Sequence, residues 1–301
     1  MHTHEGCLGR VGACAPGIFF SVSMNYQKPY LTPDQKILLL KDKGLIISDE
    51  AFASEFIQQV GFSRFLSFSE TFMDKSERFV SKTDFYKIVS IYRLDAKLRA
   101  MVFGAIEPIE ISFRAVWTDA FTRRYGALGY LESQNFNNVS LWSTHRQKLE
   151  KEWQKVNDAS FKRYIGKYEH PPLWFVVHSM SFGSLSKWIS NSSIDVQTDL
   201  LSFYKFRSIS ELELTLKSLS ILRNYCAHHA RIWDNYFPIA FPQLNKDKGG
   251  KKLYFSLRLI AELNNRIHPT KMSGSKWYEQ IEAIVQNFPR YQRKAMGFPQ
   301  N

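Results

Sequence analysis

The sequence predicts an all-α protein, on three observations. Apolar residues recur at steps of three and four over long stretches, strong helix-start signals precede several of those stretches, and neither sustained period-two alternation nor an Asn-Gly hairpin turn occurs. The first helix starts at Thr32-Pro33-Asp34-Gln35. Threonine can cap it, proline suits the first helical position, Gln35 follows the cap by three residues, and Gly44 stops the helix after Ile37-Leu38-Leu39-Leu40. Ser48-Asp49-Glu50 opens a second helix carrying Phe52, Phe56 and Val60 at helical spacing, ended by Gly61. The aromatic and polar stretch 62–82 is expected to be irregular.

Asp84 can cap a long helix whose buried stripe reads Ile88, Ile91, Tyr92, Asp95, Leu98, Met101, Val102 and Ala105 and continues through Ile106, Ile109, Phe113, Val116 and Trp117. Pro108 lies inside it and is expected to kink the helix or split it in two, because proline removes one backbone donor. Residues 126–136 form a loop. Trp142–Tyr168 reads as a charged, exposed helix, and His170-Pro171-Pro172 breaks it. Apolar residues from Leu173 to Trp188, interrupted by Gly183, lead to a turn at Ser190–Ser193. Ser210-Glu211 is expected to open the next helix, with Leu212, Leu216, Leu219, Leu222 and Cys226 as its buried stripe. Gly249-Gly250 precedes a last helix pair, Lys252–Arg266 and Ser275–Asn287.

The 301 residues hold 44% hydrophobic and 23% charged side chains, an ordinary globular balance. No apolar run approaches the roughly 18–20 residues of a membrane span, so no membrane association is expected. Three cysteines, Cys7, Cys14 and Cys226, form no CxxC pair and no disulfide framework, which fits a reducing cytoplasm. Residues 1–23, rich in Gly, Ala and Cys, lack the pattern of a signal peptide and are expected to be a disordered leader or a misassigned start ahead of Met24. The expected organisation is then an N-terminal helical module at 24–82, a central all-α domain at 83–242 and a basic helical extension at 243–301.

The net charge is +12, and residues 241–301 carry 11 Lys and Arg against 4 Asp and Glu. Such an excess favours a polyanionic partner, nucleic acid before others, and plain solubility charge fits the same composition equally well. Lys246, Lys248, Lys251, Lys252, Arg290, Arg293 and Lys294 are the candidate contacts to an RNA backbone. Tyr254, Phe255, Trp277, Tyr278, Phe288 and Tyr291 are interleaved with them, as base-stacking surfaces or as helix core.

The chemistry concentrates in Arg223-Asn224-Tyr225-Cys226-Ala227-His228-His229. At about 100° per residue, Asn224 and His228 share a helix face and Arg223 flanks it. A histidine near neutral pH can take the proton of a ribose 2′-hydroxyl or give one to the leaving oxygen, and arginine grips a phosphate bidentately. Asn224 can hold the histidine or the phosphate. The same residues also suit a helix end where His228, His229 and Arg231 meet the negative dipole. Glu107, Glu110 and Arg114 line one face of the long helix and could orient Arg223 or His228, or form a structural ion pair. Arg163 and His170 repeat an arginine–histidine spacing without the asparagine, and chance accounts for them.

Arg223-x4-His228, with Asn224 in place, resembles the HEPN ribonuclease motif. Around it, the segments 26–32, 43–47, Tyr92–Arg99, Ala105–Glu110, Ser181–Ser186 and Cys226–Trp233 resemble, in order, the abortive-infection (Abi) family of the AbiD and AbiF type. The resemblance implies a HEPN-like helical domain at 83–242 in a phage-defence toxin, an endoribonuclease needing neither metal nor cofactor. It also implies a homodimer that brings Arg223, Asn224 and His228 from two subunits into one composite site, supported by His229, Glu107, Glu110 and Arg114, and control by a small antitoxin RNA. The alternative is a non-catalytic binding module for a structured small RNA. A DNA-binding regulator is weaker, for want of a short helix-turn-helix.

Overall fold

A computed structural model describes residues 29–157, 159, 162–163, 167–241, 250–267 and 273–299. The chain is all-α: among the described residues, extended backbone pairs only at isolated bridges such as Ile46 with Asp84. The leader expected at residues 1–23 lies outside the described residues.

Helix α1 (Pro33–Asp42) starts on the expected reciprocal cap, Thr32 accepting from the Gln35 N–H while the Gln35 side chain accepts from the Thr32 N–H. Helix α2 (Glu50–Val60) is capped by Asp49. Gly61, at φ +87°, then turns the chain directly into α3 (Phe62–Ser69) and a short 3₁₀ turn at Glu70–Phe72. The stretch expected to be irregular is therefore helical over its first half. Its apolar spacing is helical after all: Phe65, Phe68 and Phe72 are buried, and the rings of Phe65 and Phe68 join Phe56, Phe85 and Tyr92 in an aromatic cluster. Burial of those rings outweighs the weak helix propensity of a Phe- and Ser-rich segment.

Helix α4 (Phe85–Tyr125), capped by Asp84, is the spine of the molecule. It runs unbroken through Pro108, so of the kink or split expected there the split does not occur. Pro108 has no N–H to give the carbonyl four residues back, that of Gly104, a residue that is itself exposed, while Ile106 and Ile109 on either side of the proline are fully buried and hold the helix in the core. Helix α5 (Val139–Trp153) begins at Asn138 and ends far short of Tyr168. After a single turn at Leu173–Val176 come α6 (Phe182–Asn191), capped by Ser181, and α7 (Ile194–Tyr204). Helix α7 was not foreseen, although Val196, Leu200 and Tyr204 are buried at steps of four. Tyr204 stacks on Phe113 with ring centroids 4.2 Å apart and bonds Ser112 through its hydroxyl at 2.7 Å.

Helix α8 (Ile209–Ala227) starts at Ser208, two residues before the expected position, and buries the whole predicted stripe from Leu212 to Cys226. The last elements are α9 (Leu253–Ile267), α10 (Ser273–Val285) and α11 (Arg290–Ala295). Helix α10 meets α9 closely at Gly274, where a β-carbon would collide with the Ala261 carbonyl. Helices α3, α6, α7, α8, α9 and α10 all pack on α4. The basic C-terminal region is therefore docked on the spine: Asn264 donates to the Ala105 carbonyl at 2.9 Å, and the Trp277 indole N–H to the Met101 carbonyl at 3.3 Å. Among the described residues no helix is long and apolar enough to cross a membrane.

Candidate active site

The candidate motif occupies the last turn of α8 and the turn that follows. On the arginine side, α4 and α8 border a hollow of about 210 Å³ lined by Phe103, Glu107, Glu110, Ile111, Arg114 and Arg223. Arg223 Nε lies 3.7 Å from Glu110 Oε2, and its guanidinium stands 5.6 Å from the centre of the Phe103 ring. Glu110 also pairs with Arg114, one turn along α4, and Arg114 is anchored in turn on the Val177 carbonyl. Glu110 and Arg114 are each 13% exposed, so the pair sits in a poorly solvated wall where its charges are weakly screened. The structure thus brings Arg223 together with Glu107, Glu110 and Arg114. Of the four, Glu107 is at the exposed edge.

The histidine side is built differently. Helix α8 ends at Ala227, so Cys226 lies near its end and not mid-helix, and His228 is the C-cap. The shared face of Asn224 and His228 is that of a last turn, with the His228 N–H donating to the Asn224 carbonyl at 2.9 Å. The His229 N–H donates to the Cys226 carbonyl and the Ala230 N–H to the Tyr225 carbonyl, at 3.2 and 2.8 Å. Those two bonds form a Schellman turn, and His229 occupies its left-handed position at φ +59°, where glycine is the usual residue. A side chain there costs about 1–2 kcal/mol. Asn224, His228 and His229 are exposed. None of them lines the hollow that holds Arg223, although Arg223 reaches Asn224 Oδ1 at 3.4 Å.

The strained turn is held from outside by contacts that the sequence reading did not find. Arg64 on α3 donates to the His229 carbonyl, and Arg231 donates back to the Ser67 carbonyl of the same helix. Beneath them, the fully buried Asp95 of α4 accepts from the backbone N–H groups of Ile232 and Trp233 at 3.0 and 2.9 Å, and pairs with the buried Arg99. Burial, and then the neighbouring Arg64, hold the Arg99 guanidinium below the usual arginine range. The signal for Asp95 was present: a carboxylate in register with Ile91, Leu98 and Val102 falls on a buried stripe and must find partners there. Arg64 gave no signal, because its helix was not foreseen. Burial also pushes the Cys226 thiol up to about 12, so it stays protonated near neutral pH and is no thiolate nucleophile.

Of the candidate RNA contacts, Lys246 and Lys248 lie outside the described residues. Lys251, Arg290 and Lys294 are exposed. Lys252 Nζ sits 4.5 Å above the Tyr236 ring, and Arg293 donates to Gln286 at 2.7 Å. Among the described residues no group of three or more His, Cys, Asp or Glu could hold a metal ion. Arg163 and His170 show no link to α8: His170 faces Glu169 at 3.9 Å.

The Abi-like protein family matches residues 55–234, more than half of the chain, and the chain belongs to that family. The matched span holds α3, α4, α8 and the turn pinned by Asp95. Abortive-infection phage defence is the general setting of the family. No curated protein and no solved structure matches the chain.

Proposed function

We propose that this Abi-like protein is a phage-defence toxin that cleaves RNA as a metal-independent HEPN-type endoribonuclease. The observation that carries the proposal is the pairing of Arg223 with Glu110 at the edge of an open hollow, beside the exposed Asn224 and five residues before the exposed His228. Arg223 supplies a fixed positive group for a phosphate, and its ion pair with Glu110 orients the guanidinium before substrate arrives. His228 is the general acid–base group. It withdraws the 2′-hydroxyl proton, the 2′-oxygen attacks the adjacent phosphorus, and the bond to the 5′-oxygen breaks as that oxygen takes up a proton. The products are a 2′,3′-cyclic phosphate and a 5′-hydroxyl. Asn224 steadies the phosphate or the imidazole.

One copy presents Arg223 beside Phe103 and Ile111, 40% and 58% exposed. A homodimer that covers these side chains, joins two copies of Arg223 and His228 in one site and acts in the cytoplasm completes the proposal. A small antitoxin RNA holds it in check. Expression of the wild type is expected to arrest growth, with RNA fragments ending in cyclic phosphate, and His228→Ala is expected to abolish both. Growth arrest at full strength in His228→Ala would overturn the nuclease reading. The second reading, a non-catalytic module for a structured small RNA, draws on the exposed Lys251, Arg290 and Lys294, and predicts such an RNA bound to the purified protein whether or not it cleaves.

A further inference from the structure

A second hollow, of about 230 Å³, lies in the C-terminal region between α9, α10, α11 and the tail at Phe298. Two of its walls are aromatic and half-buried, Tyr254 from α9 and Tyr278 from α10. Phe298 fixes the first wall edge-on, with ring centroids 5.2 Å apart. The backbone seats this tail firmly, since the Tyr254 N–H donates to the Met296 carbonyl at 3.0 Å and the Phe298 N–H to the Arg293 carbonyl at 3.1 Å. Arg258 stands between the two tyrosines, 5.9 Å from each ring centre, and donates to the Tyr254 hydroxyl at 3.1 Å. Arg290 and Arg293 complete the lining from α11. Three guanidiniums thus surround a space that holds one carboxylate, Glu282, and that carboxylate accepts from the Tyr278 phenol.

Arg293 is held in the wall of the hollow. One of its terminal nitrogens donates to Gln286, but its buried Nε has no hydrogen-bond partner among the described residues. Flat aromatic faces beside several guanidiniums are the combination that single-stranded nucleic acid uses, the rings for a base and the guanidiniums for its phosphate. The size selects within that class. The hollow lies below the roughly 300–1,000 Å³ of sites for larger ligands, so it takes one nucleotide unit and excludes a duplex.

We propose that this hollow is a binding site for a single nucleotide unit, its phosphate held by Arg290 and Arg293 and its base laid against Tyr254 and Tyr278. The site is separate from Arg223 and His228, and its existence does not depend on cleavage. The nucleotide comes either from a single-stranded RNA or from the free pool, and the chemistry is the same. The test uses the full-length chain carrying His228→Ala and reads equilibrium binding of two probes, adenosine 5′-monophosphate and a short single-stranded oligoribonucleotide. At least one probe is expected to bind and to weaken by roughly tenfold or more in the double substitution Arg258→Gln and Arg290→Gln, both at exposed positions, in protein whose thermal melting matches the parent. Tighter binding of the oligoribonucleotide identifies an RNA strand as the source, and comparable or tighter binding of the mononucleotide identifies the free pool. Failure of both probes to bind, or binding unchanged by the double substitution, would overturn the proposal. Neither readout involves cleavage, so the nuclease reading can fail while this site stands.

Discussion

Arg223 and His228 lie five residues apart, yet the molecule holds them by different means. Arg223 is fixed through its side chain, by Glu110 and by the Phe103 ring. His228 is fixed through its backbone, by a Schellman turn that Arg64 and Asp95 clamp from two other helices, and its side chain is left exposed. The difference teaches that the two halves of the candidate site can be disturbed separately. Changes around Glu110 act on the orientation of a charge. Changes around Asp95 act on where the chain turns.

The largest effect is expected at Asp95. Asp95→Ala strands the buried Arg99 and leaves the Ile232 and Trp233 N–H groups without their acceptor, so thermal unfolding should show a loss of about 3–5 kcal/mol. A loss below about 1 kcal/mol would show that the turn is held by other contacts. Glu110→Gln comes next and separates the two halves. It should lower stability by about 1–2 kcal/mol and slow RNA cleavage, without altering the turn at His229. Arg64→Gln removes one grip on the His229 carbonyl and should cost about 1 kcal/mol, seen as faster amide exchange in residues 228–233 and not in α4. His229→Gly has the opposite sign. It relieves the left-handed strain and should leave stability in thermal unfolding unchanged or raised by up to about 1 kcal/mol. Retained cleavage in that variant would assign His229 to the turn alone. The smallest effect concerns Cys226: because its folded thiol stays protonated to about pH 12, alkylation at mildly alkaline pH should occur only on unfolding.

Much of this was legible in the chain itself. Thr32 with Gln35, Asp49 and Asp84 start helices where capping chemistry places them, and the leucine stripe of α8 is buried throughout. That Glu107, Glu110 and Arg114 share one face of α4 was also readable from helical spacing, while their meeting with Arg223 stood beside His228 and a structural ion pair as an open alternative. What escaped reading depends on tertiary contacts. Helix α3 is rich in Phe and Ser and helical only because its rings are buried against Phe85 and Tyr92. Pro108 is tolerated because Gly104, whose carbonyl it leaves without its helical donor, is an exposed residue. The helix end at Ala227 was one of two readings of the motif, and nothing decided between them because its left-handed residue is His229 and not a glycine, which removes the usual stop signal. The partners of the turn lie about 130 to 165 residues away in sequence, at a range that local pattern does not reach.

The central claim is that Arg223 and His228 perform phosphodiester chemistry. It is tested most directly by the rate of RNA cleavage in excess chelator, measured beside the melting temperature, for the wild type, Arg223→Ala and His228→Ala. The account predicts that both substitutions slow cleavage by roughly a hundredfold or more while His228→Ala leaves the melting temperature unchanged. Cleavage by His228→Ala at the wild-type rate would contradict it.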